Sequence, residues 1–186
     1  MKTTNLIERT IFFVKETLAQ AEGGHDWFHI ERVYKNALLI AASEKCDLEI
    51  VQLGALLHDI ADSKFHGGDE TIGPKTARLF LESENVDRTI IDHVIAIIEN
   101  ISFKGGKVER KFSSVELDIV QDADRLDAIG AIGIARTFNY GGFKNRALYH
   151  PEIAPNLSMT KEEYKNNEAP TINHFYEKLL LLKDKM

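Results

Sequence analysis

The sequence predicts an all-α protein, and three observations support that fold class. The 186 residues contain only four prolines, so long stretches are free of residues that break helices. Apolar residues recur at spacings of three and four, which places them on one face of a helix. Alternating runs of β-branched residues, which are typical of strands, do not occur in the sequence. The length fits a single domain over residues 1–186, since one domain is expected for roughly every 150 residues.

Five helices are expected before residue 102, and their ends follow from glycines and capping residues. Gly23 and Gly24 end the first helix, while Asp26 and Asp47 carry the side-chain oxygen of an N-cap and begin the second and third. The resulting helices are expected over residues 5–21, 26–42, 48–61, 71–84 and 87–101.

Two further helices are expected in the middle of the second half. Ser113 and Glu116 have the spacing of a capping box, which opens a sixth helix that runs to Ala128. The glycines that follow interrupt this helix or join it to a seventh, which ends near Phe138.

The C-terminal part is expected to be irregular and then helical. Residues 139–170 are rich in Gly, Asn, Pro and charge, so an irregular segment over the core is predicted there. A closing helix is predicted over residues 171–183. Its four consecutive leucines, at 179–182, could finish the core or pair with a second copy of the chain in a homodimer.

Charge and cysteine content exclude several classes of function. The chain has 23 basic and 29 acidic residues, a net charge of -6, which argues against nucleic acid as a partner. The single cysteine, Cys46, can form neither an intrachain disulfide nor a cysteine-rich zinc site, so a reducing cytoplasmic location is expected. No segment reaches the roughly 18 apolar residues of a membrane span, so no membrane association is expected.

Four polar residues fall on helix faces that are otherwise apolar. His29 shares the inward face of the second helix, the pair His58-Asp59 ends the inward face of the third, and Asp124 lies on the inward face of the sixth. One such residue alone is usually a satisfied core residue, but burying a set of them is costly unless they are paired or bind a metal. Two imidazoles and two carboxylates suit a divalent ion and leave about two octahedral positions for water and substrate.

The segments around these residues carry a resemblance to a known family: HDWFHIERV, LLHDIADSKF and DADRLDAIGAIGIARTF. In this order they resemble the H…HD…D pattern of the HD-domain superfamily of metal-dependent phosphohydrolases, and more closely a compact bacterial branch that includes nucleotide pyrophosphohydrolases. The resemblance covers most of residues 20–145 and implies an HD-type helical bundle whose metal-site core spans about residues 24–140. It implies one divalent metal ion (Mn, Mg, Ni, Co, Fe or Zn) with four ligands: His29, His58, Asp59 and Asp124.

Candidate catalytic and substrate-binding residues lie close to this pattern. Asp62 falls where related nucleotidases carry an acidic residue, and the resemblance implies that it positions or deprotonates the attacking water; a supporting role at the helix end is the alternative. Lys64 follows the HD motif directly and is expected to assist catalysis and to bind phosphate. Arg32 shares a helix face with His29 and is expected to bind phosphate. Trp27 could stack on a base, although an aromatic residue near a helix start is more often part of the core.

The expected function is hydrolysis of a small phosphate-bearing substrate, most plausibly a nucleotide. The resemblance favours cleavage of a (deoxy)nucleoside triphosphate to the monophosphate and pyrophosphate by metal-activated water, with manganese as one candidate metal. A 5′-nucleotidase and a cyclic-nucleotide phosphodiesterase are the alternatives. A di-iron HD oxygenase is less favoured, because additional well-placed histidines for a second iron are missing from the sequence. A non-catalytic nucleotide sensor is less favoured because Asp62 and Lys64 are intact.

Overall fold

Helices form all of the regular structure in the described part of the chain. The computed structural model describes residues 2–21, 24–61, 69–102 and 112–186, and within these ranges it contains no strand. The helices are α1 Lys2–Thr17, α2 Trp27–Ala41, α3 Leu48–Leu57, α4 Ile72–Ser83, α5 Arg88–Asn100, α6 Val115–Asp127, α7 Gly130–Phe143, α8 Lys161–Lys165 and α9 Leu180–Leu182. The predicted all-α class is therefore confirmed.

The chain divides into two compact units, and the boundary falls within α6. The first unit holds α1 to α5 and α6 as far as Asp124, and the second begins at Arg125 and includes α7 to α9. None of the helices in the described ranges is long and apolar enough to cross a membrane.

Helix α3 is the centre of the first unit. Seven of its ten residues are buried, and it packs against α1, α2 and α5. Each of these neighbours contributes fully buried side chains to the core, for example Val14 of α1, Val33 of α2 and Ile97 of α5. Because α3 is enclosed on nearly all sides, its C-terminal end brings the residues that follow it into the interior of this unit.

Aspartate caps fix the starts of α2 and α3, as the sequence predicts. The Asp26 side chain accepts a hydrogen bond from the His29 N–H, and the Asp47 side chain accepts from the N–H groups of Glu49 and Ile50. These bonds satisfy backbone donors that have no partner inside the helix. The predicted N-caps of both helices are confirmed.

The start of α6 differs from the prediction. Ser114 rather than Ser113 is the capping residue, since its hydroxyl accepts the N–H of Leu117 at 3.0 Å. With Ser114 as N-cap, Glu116 occupies the second helical position and is one residue too early to complete a capping box. Its carboxylate instead accepts the backbone N–H of Asp47 at 2.9 Å, which joins the starts of α3 and α6.

Several helix boundaries also differ from those expected. Helix α3 ends at Leu57, so His58 and Asp59 lie in the turn that follows it rather than inside the helix. Helix α7 continues to Phe143, well into the segment expected to be irregular. It ends where Asn145 adopts a φ of 53°, while the N–H of Arg146 bonds to the carbonyl of Gly141. This is the pattern of a Schellman C-cap, in which asparagine takes the place more often held by glycine.

The closing segment is only partly α-helical. A π-helical turn over Phe175–Leu179 precedes the single α turn of α9, and a 3₁₀ turn over Lys183–Lys185 follows it. Within the second unit Leu179 and Leu182 are buried while Leu180 is exposed. Leu179 and Leu182 thus complete the core of this unit. Pairing of the closing segment with a second copy of the chain stays a prediction.

Buried polar groups hold the second unit together. The Glu177 carboxylate is buried and accepts the backbone N–H of Asn156 at 3.1 Å and the side-chain amide of Asn167 at 2.9 Å. Thr171 donates its backbone N–H to the carbonyl of Ala147 at 2.8 Å. These bonds tie the loop between α7 and α8 to the closing segment.

The side chain of Thr171 packs directly against Gly141 in α7. A Cβ at position 141 would overlap the Thr171 hydroxyl and approach its methyl group to 2.9 Å, so only glycine fits there. Among the described side chains, this hydroxyl is the buried polar atom that has no hydrogen-bond partner. Gly141 and Thr171 therefore fit each other by steric packing and not through a hydrogen bond.

Replacing Gly141 should destabilise the protein, and replacing Thr171 should reverse the effect. Gly141→Ala is expected to lower the free energy of unfolding by about 2 kcal/mol through overpacking. Adding Thr171→Ala removes both clashing atoms and should recover most of that loss. Urea unfolding of the two single variants and the double variant measures the coupling. Additive effects in the double variant would contradict the steric explanation.

A second prediction concerns Glu116 and pH. Burial raises the pKa of this carboxyl, but other groups outweigh burial and lower the pKa below the ordinary value. These groups are the backbone N–H groups of Asp47 and Glu116, the charge of nearby His93 and the Ser114 hydroxyl. A depressed carboxyl pKa adds stability at pH values above the unfolded-state pKa, and that stability is lost as the pH falls through the folded-state pKa.

Glu116→Gln should therefore be less stable than the wild type near neutral pH, and the difference should shrink on acidification. Urea unfolding between about pH 7 and about pH 3 measures both proteins. Glu152→Gln, at an exposed position in the second unit, is the control and should follow the wild type. A difference between Glu116→Gln and wild type that is constant across this range would exclude the ionisation of Glu116 as its cause.

Candidate metal centre

Three separate parts of the first unit bring the predicted metal ligands together. His29 lies in the first turn of α2, where the Asp26 cap fixes its backbone. His58 and Asp59 lie in the turn directly after α3, and Asp124 projects from the last part of α6 that belongs to this unit. The site is thus built at the ends of helices whose packing fixes their positions.

Three of the four side chains, His29, His58 and Asp59, group their ligand atoms, and Asp124 lies beside the two imidazoles of this group. The Nε2 atoms of His29 and His58 are 3.3 Å apart, and the Nε2 of His29 is 3.9 Å from Oδ2 of Asp59. Oδ1 of Asp124 lies 3.6 Å from the Nε2 of His29 and 3.8 Å from that of His58. His29, His58 and Asp59 each offer one ligand atom within 4.8 Å of the others, a group that could hold a metal ion.

Burial decreases steadily across the four ligands. The exposed fractions of the side chains are 1% for His29, 4% for His58, 16% for Asp59 and 32% for Asp124. Asp124 is therefore less buried than its helical position predicts. The imidazoles form the closed side of the site, and the carboxylate of Asp124 lies on the side that solvent can reach.

A backbone carbonyl fixes the tautomer of His58. Its Nδ1 lies 2.9 Å from the carbonyl oxygen of Ala55, which can only accept, so Nδ1 carries the hydrogen. In the neutral ring the Nε2 lone pair then points toward His29 and Asp124. Orientation of a ligating histidine by a hydrogen bond at its other nitrogen is typical of metal sites.

The arrangement fits a divalent cation. Two nearly buried imidazole nitrogens lie 3.3 Å apart, a distance that a hydrogen bond or a bound cation can satisfy, and a carboxylate oxygen of Asp124 lies 3.6 Å from the nitrogen of His29. Mixed nitrogen and oxygen donors suit the first-row divalent ions and Mg²⁺ better than a sulfur-preferring ion. A bound divalent ion would lower the pKa of a water molecule and polarise a phosphoryl oxygen.

Two of the predicted functional residues lie outside the described residues. Asp62 and Lys64 both fall between residues 61 and 69, so their roles stay predictions. Arg32 is half-buried in α2, one turn after His29, and so lies on the same side of this helix. Its predicted role in binding phosphate also stays a prediction.

Trp27 is placed differently from a freely exposed aromatic ring. It packs against the hydrophobic core of the first unit, and the ammonium of Lys15 lies 4.5 Å from the centre of its ring. A cation in this position attracts the π-face electrostatically. Substrate binding by Trp27 stays a prediction, and these contacts also give the ring a structural role.

Some partners of the site could not be read from the sequence. The Ala55 carbonyl is a backbone group, so nothing in the residue type indicates it. The His25 ring lies edge-on to His29 with 6.4 Å between ring centres, and only its spacing of four residues could have suggested this contact.

In the second unit, Asp127 is only 2% exposed and accepts a hydrogen bond from Arg136 at 2.9 Å, which makes it part of a buried ion pair.

Comparison with known proteins identifies the family. The HD domain family model matches residues 27–129, which is more than half of the chain and includes all four candidate ligands. The chain belongs to the HD domain family. The match ends two residues after Asp127, so the assignment of all 186 residues to one domain stays a prediction.

Proteins from three bacteria are similar to this one along nearly the whole length of this chain. Bacillus subtilis YpgQ is 38% identical over 195 residues, which span 100% of this chain and 83% of YpgQ. Its crystal structure in complex with ADP gives a TM-score of 0.74 at 34% identity, with 100% and 83% of the two chains covered.

The other two similar proteins are known from crystal structures. A protein from Lactobacillus plantarum gives a TM-score of 0.88 at 36% identity, with 97% of this chain and 83% of the other covered. An HD-superfamily hydrolase from Bacillus thuringiensis gives a TM-score of 0.71 at 43% identity, covering 99% and 84%.

Metal binding should depend on the ligands that the structure brings together. His58→Ala and Asp59→Ala are each expected to abolish binding of Mn²⁺ in calorimetry while most helix content is retained. At a metal concentration one hundred times the dissociation constant, the wild type should gain about 2.7 kcal/mol of stability, and the variants should gain none. His150→Ala, at an exposed histidine in the second unit, should bind like the wild type. Wild-type affinity in both ligand variants would refute the site.

Proposed function

We propose that this protein is a metal-dependent phosphohydrolase that acts on nucleotides. The reaction we favour converts a (deoxy)nucleoside triphosphate to the monophosphate and pyrophosphate. The observation that carries the proposal is the grouping of two buried imidazoles with the Asp59 carboxylate, while the Asp124 carboxylate lies beside both imidazoles on the solvent side. A site that is closed on one side and open on the other can hold an ion and still admit a substrate.

The relatives support a nucleotide as the ligand. YpgQ has been crystallised in complex with ADP, and it covers the full length of this chain. ADP combines a base, a sugar and two phosphates, so it presents the chemistry expected of the substrate. The similar HD-superfamily hydrolase from Bacillus thuringiensis supports hydrolysis as the class of reaction.

The chain supplies groups for each part of the proposed reaction. A water oxygen forms a bond to the α-phosphorus, and the bond from that phosphorus to the bridging oxygen of pyrophosphate breaks. Asp62, three residues after Asp59, takes the proton of the water. Lys64 and Arg32 bind the phosphate oxygens and offset the negative charge that develops on the leaving group.

The buried imidazoles contribute by holding their positions. Because the Ala55 carbonyl fixes the His58 ring, the site needs no rotation of that ring before it can bind its ion. The Asp26 cap does the same for the first turn of α2, which carries His29. Preorganisation of this kind lowers the cost of assembling the reacting groups.

Identification of the products distinguishes the candidate reactions. Protein loaded with Mn²⁺ or Mg²⁺ is incubated with ribo- and deoxynucleoside triphosphates, nucleoside monophosphates and cyclic nucleotides, and the products are separated by chromatography. Monophosphate together with an equal amount of pyrophosphate is expected from the triphosphates, and Asp59→Ala should form neither. His150→Ala should match the wild type.

Other products would replace the favoured reaction with a specific alternative. Free phosphate from a monophosphate would indicate a 5′-nucleotidase, and a linear product from a cyclic substrate would indicate a phosphodiesterase. Failure to hydrolyse every nucleotide with every divalent ion would overturn the proposal, and tight nucleotide binding in that case would identify a sensor.

A further inference from the structure

An exposed aromatic ring is carried by the helical turn that also carries the candidate ligand His29. Phe28 occupies the first turn of α2 and is 62% exposed, whereas His29, the next residue, is almost fully buried. A single exposed apolar side chain is ordinary on a protein surface, but this one is adjacent in sequence to a candidate metal ligand. The position of Phe28 therefore raises the question of what covers its ring during function.

The geometry of α2 places Arg32 between the buried histidine and the exposed ring. At 100° per residue, Arg32 lies about 60° around the helix from His29, and Phe28 lies about 100° around it in the same direction. The exposure follows this order, since His29 is buried, Arg32 is half-buried and Phe28 is exposed. A ligand lying across this face would meet the metal centre, then a cation, then an aromatic ring.

The core-facing side of α2 is on the other side of the helix. Ile30 and Val33 are fully buried and belong to the hydrophobic core of the first unit. They lie about 100° and 40° from His29 in the direction opposite to Arg32. Phe28 is thus directed away from the core and is not held in place by it.

The neighbouring tryptophan is less suited to bind a base. Trp27 packs against the core and has the Lys15 ammonium 4.5 Å from its ring centre, so its surface is partly occupied. A base that stacked on that face would have to displace the cation. Phe28 has the larger accessible surface of these two adjacent rings.

We propose that Phe28 is a specificity-determining residue that stacks on the nucleobase while Arg32 and the metal centre receive the phosphates. The proposal rests on the proposed function, because it takes a nucleotide as the ligand. Stacking on an aromatic ring is tolerant of base identity, since every base has a π-face. Phe28 thereby distinguishes nucleotides from inorganic polyphosphates rather than one base from another.

The test compares ligands with and without a base. Dissociation constants for ADP and for inorganic tripolyphosphate are measured by calorimetry in the presence of Mn²⁺. Phe28→Ala should weaken ADP binding about ten-fold, which corresponds to about 1.4 kcal/mol of lost stacking, and should leave tripolyphosphate binding unchanged. Phe28→Trp should bind ADP at least as tightly as the wild type.

A matched control is available on α1. Phe12 is also a highly exposed phenylalanine, at 67%, and it is assigned to neither the metal centre nor the substrate site. Phe12→Ala should bind both ligands like the wild type, and circular dichroism should show unchanged helix content in all variants. Because both rings are exposed, neither alanine substitution removes a core contact. A difference in ADP affinity between the two variants is therefore not explained by a folding defect.

The outcomes separate this inference from the proposed function. The role of Phe28 would be overturned if Phe28→Ala bound ADP with wild-type affinity, or if it lost ADP and tripolyphosphate binding equally. Neither result would bear on nucleotide hydrolysis, which the product assay tests. A selective loss of ADP affinity would support stacking even if the product assay showed no hydrolysis. Absence of ADP binding by the wild type would also overturn the inference.

Discussion

The close approach of two buried imidazoles is the constraint on which the rest of the first unit depends. Nitrogen atoms this deep in a protein must be satisfied by a hydrogen bond, a proton or a metal, because water cannot reach them. One nitrogen of His58 is satisfied by the Ala55 carbonyl, and its other nitrogen faces His29. The N-cap of α2, the end of α3 and the approach of α6 all serve to maintain this arrangement.

The sequence was informative wherever a residue type has one dominant physical role. Aspartates at Asp26 and Asp47 cap helices, and a histidine or carboxylate on an apolar face indicates a polar site. The grouping of His29, His58 and Asp59 could therefore be predicted together with most of the helices. The same reasoning overestimated the burial of Asp124, because helical spacing indicates a face and not how deeply that face is covered.

The sequence was less informative where tertiary partners decide the outcome. Glu116 fits a local capping box by spacing, yet it bonds to the backbone of Asp47, which lies 69 residues away. Helix α7 ends at Phe143 because Asn145, just beyond it, adopts the left-handed conformation that glycine favours but that is also accessible to asparagine. The segment expected to be irregular is ordered by Glu177, whose partners Asn156 and Asn167 cannot be identified from local sequence.

The two carboxylates of the candidate metal centre also determine its charge. If both carboxylates bind the ion, as we propose, and the imidazoles are neutral, the charges of Asp59 and Asp124 would balance one divalent ion and the loaded centre would be electrically neutral. A neutral centre in a chain of net charge -6 exerts little long-range attraction on a polyanion. Capture of a negatively charged substrate would then depend on short-range contacts, such as those we propose for Arg32, and on cations that accompany the substrate from solution.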